Sequence, residues 1–171
     1  GRGLIAARPA EVEDRVGRGH WEGDLIMGKN NQSAIGTLVE RTSRFVMLLH
    51  LPHAKTAEAV RDAMTLAIQS LPEALMRSIT WDQGKEMAEH VQFSLETGID
   101  VFFCDPHSPW QRGTNENTNG LLRQYFPKGP DLSIHDAATL QAAADGLNNL
   151  PRKTLGGKTP SETLPGLVPA A

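Results

Sequence analysis

Three acidic residues of this chain sit where a solvated surface charge would be out of place. Glu116 lies in Pro106-His107-Ser108-Pro109-Trp110-Gln111-Arg112-Gly113-Thr114-Asn115-Glu116-Asn117-Thr118-Asn119-Gly120, a stretch that is otherwise uncharged or basic. Asp24 stands in Trp21-Glu22-Gly23-Asp24-Leu25-Ile26, and Asp82 in Ile79-Thr80-Trp81-Asp82-Gln83-Gly84. The aspartates have 57 residues between them, and 33 more precede the glutamate. Three carboxylates are hard oxygen ligands of the kind that suit Mg2+ or Mn2+, ions that keep water and accept phosphate oxygens. A pair of such ions activates an attacking water or sugar hydroxyl and stabilises the leaving oxygen of an in-line displacement. Phosphoryl transfer of this kind needs no side-chain nucleophile. In keeping with that, the chain has no G-x-S-x-G, no H-E-x-x-H and no G-x-x-x-x-G-K-[ST] phosphate loop.

The elements around the acids must bring them together. Trp21 to Met27, Ala34 to Glu40 and Phe45 to Leu51 read as strands joined by short polar turns, which favours an antiparallel meander. Thr56 can cap a helix to about Leu71, with Ala59, Val60, Ala63, Leu66 and Ala67 at helical spacing. A short strand is expected within Ala74 to Trp81, a helix from Lys85 to Thr97, and a strand from Asp100 to Cys104. Helices should then run from about Gly113 to Phe126 and from about His135 to Asn149. Strands that alternate with helices pair in parallel, so the fold class is α/β: a mixed five-stranded sheet, three strands antiparallel plus two parallel, with helices on both faces.

On this scheme Asp24 shares a strand face with Glu22 and Ile26, because side chains alternate. Asp82 ends the strand after the helical crossover, and pairing of the two strands at about 4.8 Å would bring the aspartates together. The ends of parallel strands are where ligands bind in such sheets. Glu116 falls on a polar helical stripe with Arg112, Asn119, Gly120 and Arg123, facing away from the core. Leu121, Leu122 and Tyr125 lie on another face and are expected to pack on the sheet.

With 171 residues and 39% hydrophobic content, the chain can bury one sizeable core. Residues 1–19 read as a leader or linker and 20–171 as a single catalytic domain. The net charge of −3 does not favour nucleic acid, but two divalent cations would bring it to +1. The bases also gather late, at Arg112, Arg123, Lys128, Arg152, Lys153 and Lys158. One cysteine, no apolar run of membrane-spanning length and no signal-peptide order lead to the expectation of a cytoplasmic protein.

The strings Gly19-His20-Trp21-Glu22-Gly23-Asp24, Thr80-Trp81-Asp82-Gln83-Gly84-Lys85-Glu86 and His107 through Gly129 resemble the catalytic core of insertion-sequence transposases of the IS-thirty family. That family belongs to the wider DDE transposase and retroviral integrase superfamily. The resemblance extends to Asn148-Asn149-Leu150-Pro151-Arg152-Lys153-Thr154-Leu155 and Thr159-Pro160-Ser161-Glu162. It implies a ribonuclease H-like fold, hydrolytic nicking at transposon ends, and attack of the freed 3′-hydroxyl on another DNA phosphodiester. Asp24, Asp82 and Glu116 carry over as catalytic ligands for two Mg2+ or Mn2+ ions. The implied partners are DNA, both terminal inverted repeats and target, and further copies of the protein as a dimer or larger assembly. No membrane partner is implied. The family's N-terminal helix-turn-helix region is expected to be absent, leaving a catalytic fragment. Leu150 and Gly157 depart from the family pattern, which bears on DNA contacts in the tail and not on the metal site.

Several residues carry a second reading. Glu22 and Glu86 are taken as surface acids, and Trp81 and Trp110 as core. His107 either orients a phosphate or water near Glu116 or bonds the backbone of its loop. Arg112 and Arg123 either clamp phosphate or pair with Glu116. Asn119, with Asn115 and Asn117, is expected to cap the helix and touch phosphate. Lys128, Arg152 and Lys153 complete the candidate DNA contacts. Two other functions remain open on the sequence: a ribonuclease H-like nuclease or resolvase, and a catalytically silent DNA-binding or dimerisation module.

Overall fold

The computed structural model describes residues 3–4, 17–52, 56–81, 90–103 and 113–164, excepting the side chains of 3–4 and 113–116. A mixed sheet forms its centre, with strands β1 (Gly3–Leu4), β2 (His20–Met27), β3 (Ala34–Glu40), β4 (Val46–Leu49), β5 (Ser78–Trp81) and β6 (Asp100–Phe103) in the spatial order β1-β6-β5-β2-β3-β4. The β2, β3 and β4 strands form the antiparallel meander. The β5 strand pairs in parallel with both β2 and β6. These are the five strands expected, to which the fold adds the two-residue β1, parallel to β6. Part of the segment read as a leader is thus sheet edge. Gly17 and Gly19 are also tied to the sheet: Thr42 Oγ1 donates to Gly17 O at 3.0 Å, and Gly19 N donates to Glu40 Oε2 at 3.3 Å.

Among the described residues five helices flank the sheet: α1 (Ala57–Ile68), α2 (His90–Thr97), α3 (Gly113–Leu122), α4 (Ala137–Asn148) and the single-turn α5 (Pro160–Thr163). Thr56 caps α1 through Ala59 N, Asp136 caps α4 through Thr139 N, and Thr159 with Glu162 forms a capping box on α5. Each cap satisfies a backbone N–H that the first helical turn leaves without an intrahelical partner. The Asp136 carboxyl is held below its usual range chiefly by the hydrogen bond from Thr139 N.

Strand alternation divides the core in two. One face carries Trp21, Leu38, Leu49, Ile79, Trp81, Val101 and Phe103, packed by Val60 and Met64 of α1 and Phe93 of α2. The other carries Ile26, Ile35, Val39 and Val46, packed by Leu122 of α3, Phe126, and Leu140, Ala143, Ala144 and Leu147 of α4. Leu66 is 71% exposed, contrary to its expected place on the apolar stripe of α1. At about 100° per residue it lies some 240° round from Val60, and Met64, at i+4, takes the inward position. Tyr125 is likewise exposed: α3 stops at Leu122, the helical period lapses there, and Phe126 turns inward instead. On the edge strand β4, the Asn148 side chain accepts from Val46 N at 2.8 Å and donates to Val46 O at 2.9 Å. Among the described residues no helix is long and apolar enough to cross a membrane.

Candidate active site

Asp24 sits within β2 on the face covered by α3 and α4, partly exposed, opposite Thr37 of β3. On its other side the parallel pairing sets His20 against Ser78, Glu22 against Thr80 and Gly23 against Trp81. The residue before Asp24 is therefore the register partner of the residue before Asp82. This juxtaposition depends on Gly23. A Cβ there would lie 1.8 Å from Trp81 Cε3, so only glycine lets the indole cross β2 at this point. Trp81 is 1% exposed, as its reading as core required.

Helix α3 lies across the same end of β2. Asn119 Nδ2 donates to Asp24 Oδ2 at 3.0 Å, while Asp24 Oδ1 accepts from Leu25 N at 2.8 Å. One turn further on, Arg123 donates to Met27 O at 3.1 Å and to Phe126 O at 3.2 Å. Buried Leu122 and Phe126 anchor the helix from its apolar side. Glu116 is part of α3, one turn before Asn119. Asn119 and Arg123 both reach β2. Asp82 and the side chain of Glu116 lie outside the described residues. Among those described, no three His, Cys, Asp or Glu residues come together.

The part of the site described suits a divalent cation. Asp24 offers a hard carboxylate oxygen pair, with Oδ1 accepting from Leu25 N and Oδ2 from Asn119 Nδ2. Ligating carboxylates are commonly oriented by such outer hydrogen bonds.

Towards the start of β2 the same face is polar and closed. Glu22 is fully buried and forms an ion pair with Arg41, Oε2 to Nε 3.1 Å. This corrects its reading as a surface acid: Arg41, just beyond the end of β3, donates its N–H to His20 O and brings its guanidinium over Glu22. His20 Nδ1 lies 2.8 Å from Ser78 Oγ. Glu40, the register partner of Trp21 and so on the opposite face, is also buried and accepts from Thr42 N at 3.2 Å and Ser43 N at 2.7 Å.

Of the candidate DNA contacts, Lys128 and Lys153 are exposed. Arg152 is only 8% exposed, and burial lowers its pKa from the usual arginine value. The Arg123 and Asn119 side chains are engaged with β2, as above. His107 and Arg112 lie outside the described residues. The partnership of Asn119 with Asp24 and that of Arg41 with Glu22 were not anticipated. The shared stripe of Asn119 and Glu116 was a usable signal for the first, whereas nothing in the spacing marks the second.

Residues 17–109 match the integrase core domain family. The chain is 57% identical over 160 residues to the transposase for insertion sequence element IS1086 of Cupriavidus metallidurans, covering 94% of this chain and 47% of that protein. It is 51% identical over 160 residues to the InsI transposase for element IS30C of Escherichia coli K12, covering 94% of this chain and 41% of that protein. It spans less than half the length of these two relatives. Among solved structures, the catalytic core domain of BIV integrase superposes with a TM-score of 0.64 at 24% identity, over 86% of this chain and 94% of that one. A chain of a simian T-cell lymphotropic virus intasome superposes with a TM-score of 0.69 at 23% identity, over all of this chain and 60% of that one.

Proposed function

Because this chain belongs to the integrase core domain family, with the mixed sheet of retroviral integrase cores, we propose that it is the catalytic core of an insertion-sequence transposase. Its reaction is metal-dependent DNA strand cleavage at transposon ends followed by 3′-hydroxyl strand transfer. Asp24, Asp82 and Glu116 hold two Mg2+ or Mn2+ ions, which supply Lewis acidity and an activated oxygen nucleophile. The single observation that carries this reading is the register of β2 and β5. Gly23 opposite Trp81 brings the strand ends that lead into the two aspartates side by side, under the helix that carries Glu116.

The chain's residues then divide the work. Gly23 and Trp81 keep β2 and β5 in contact, α3 brings Glu116 to the strand ends, and Arg123 fastens that helix to β2. DNA phosphates are proposed to run past exposed Lys128 and Lys153, with His107 and Arg112 as further proposed contacts. Arg152 serves that path only if its buried guanidinium turns outward. The IS1086 and IS30C relatives are transposases by description, which supports DNA as substrate. The intasome neighbour supports assembly of several copies on it.

The test is Mn2+-dependent nicking of a duplex carrying the transposon end, with wild type against Asp82→Asn. Wild type should nick and the variant should lose at least about 100-fold in rate. Equal nicking by both would overturn the assignment.

A further inference from the structure

We propose that Arg152, with Lys153 and Lys158, forms a seat for a DNA phosphodiester at the end of the sheet away from the metal site, so that each copy grips DNA at a place distinct from the one where it cuts. The inference rests on the reading of DNA as substrate and adds a second contact to it. Its basis is a vacant donor edge. Arg152 is 8% exposed, and its Nε and Nη2 are buried with no hydrogen-bond partner. These two nitrogens form the side-on fork of a guanidinium, which donates two parallel bonds to the paired oxygens of a phosphate or carboxylate. A buried charge is ordinarily paired, because its removal from water is otherwise uncompensated.

The surrounding chain supplies no acceptor of that kind. Residues 152–158 contain three bases, Arg152, Lys153 and Lys158, and no acid. The loop closes on the Arg152 backbone: Arg152 N donates to Lys158 O at 3.0 Å, and Arg152 O accepts from Leu155 N at 3.1 Å and Gly157 N at 2.9 Å. The flanking acids are engaged elsewhere, Asp145 with Gln141 Nε2 and Glu162 with Thr159 N. Lys153 and Lys158 are exposed and suit a backbone phosphate arriving from solvent. A phosphate drawn to them gives the guanidinium, turned outward, the two acceptors its fork lacks.

Helix α4 sets the place of this loop. Its Asn148 holds Val46 at the start of β4, and β4 runs in the same direction as β2, both being antiparallel to β3. The loop therefore follows α4 at the end of the sheet where β2 begins, whereas Asp24 and the last residue of β5 stand further along the strands. A second guanidinium nitrogen, Nη1 of Arg18, is also buried without a partner, two residues before β2.

The experiment measures binding of the 171-residue chain to a fluorescent duplex of arbitrary sequence in EDTA, over a series of salt concentrations. It compares wild type, Arg152→Met, the double variant Lys153→Ala with Lys158→Ala, and Asp82→Asn. Melting without DNA is the second measurement. Arg152→Met should bind about 10-fold more weakly, and its slope of log affinity against log salt should flatten by about 1. Its DNA-free melting should match or exceed wild type, because an uncompensated buried charge is gone. The lysine variant, altered only at exposed positions, should also bind more weakly with unchanged melting, while Asp82→Asn should bind at least as tightly as wild type. Wild-type affinity and salt slope in Arg152→Met overturn the proposal, as does wild-type affinity in the lysine variant. A lowered DNA-free melting temperature in Arg152→Met makes Arg152 part of the fold and overturns it equally. Loss of self-association in Arg152→Met, with DNA binding intact, assigns the fork to a carboxylate of a second copy and also overturns it. Because no metal is present, failure of the seat leaves the nicking assignment standing, and equal nicking by wild type and Asp82→Asn leaves the seat standing. Absence of duplex binding by wild type removes DNA as the substrate of this chain and the seat with it.

Discussion

Strand β2 presents two different surfaces from one run of eight residues. Trp21 and Leu25 project into an apolar layer shared with Ile79 and Trp81 of β5 and with α1 and α2, while Gly23 leaves room for the Trp81 indole. His20, Glu22 and Asp24 project to the opposite side, where Ser78, Arg41 and Asn119 meet them. The first surface is held by volume and removal from water, and any apolar side chain of suitable shape contributes. The second is held by named partners, each of which leaves a buried charge or dipole stranded if lost. Stability is therefore spread broadly over one face and concentrated in a few pairs on the other, and the candidate chemistry lies where the polar row opens to solvent.

The sharpest test of this contrast sets Asp24→Asn against Trp81→Ala. The first should reduce Mn2+-dependent nicking by at least about 100-fold with little change in melting temperature. The second should cost about 3–5 kcal/mol in urea unfolding. Matching losses of both properties in both variants would erase the division. Next in size, Arg41→Ala strands buried Glu22 and should cost about 3–5 kcal/mol, whereas Glu22→Leu with Arg41→Met should be near neutral. A costly double variant would mean that the pair stabilises the fold in its own right. Gly23→Ala forces a methyl group into the Trp81 ring and should cost about 1–3 kcal/mol, with a parallel fall in nicking as the two strands separate. Ile79→Val, on the apolar face alone, should cost about 0.5–1.5 kcal/mol and leave nicking unchanged.

The smallest effect concerns pH. The folded-state pKa of Asp136 is depressed, so its contribution is present above the ordinary value of 3.8 and is lost as pH falls through the lower folded value. Asp136→Asn keeps the cap without that titration, and stability curves against pH should show a weaker acid-side decline than wild type.

What could be read from residues alone follows the range of the forces involved. Local signals succeeded: the alternation through β2 put Asp24 on the face of Glu22, and Thr56 marked the start of α1. The helix pattern was less secure where composition misled, since α1 turns Met64 inward and leaves Leu66 in water. Glu22 was misjudged because an acid is buried only when a partner arrives, and Arg41 arrives across a hairpin and not along the helix or strand. The roles of Asn119 and Arg123 depend on α3 lying over β2. The stripe shared by Asn119 and Glu116 marks a common helix face but not the strand that face meets. At Gly157 the backbone adopts φ +87°, a conformation that side-chain-bearing residues rarely take and that no local spacing announces.

The Asn148 carboxamide has a consequence beyond the monomer. By accepting from Val46 N and donating to Val46 O, it imitates the backbone of a seventh strand at the open margin of β4. A margin closed in this way resists recruitment of neighbouring chains by indiscriminate strand addition. Replacing Asn148 by a residue without the amide would expose that margin, and the expected symptom is fibrous or amorphous self-association under conditions where the fold itself persists.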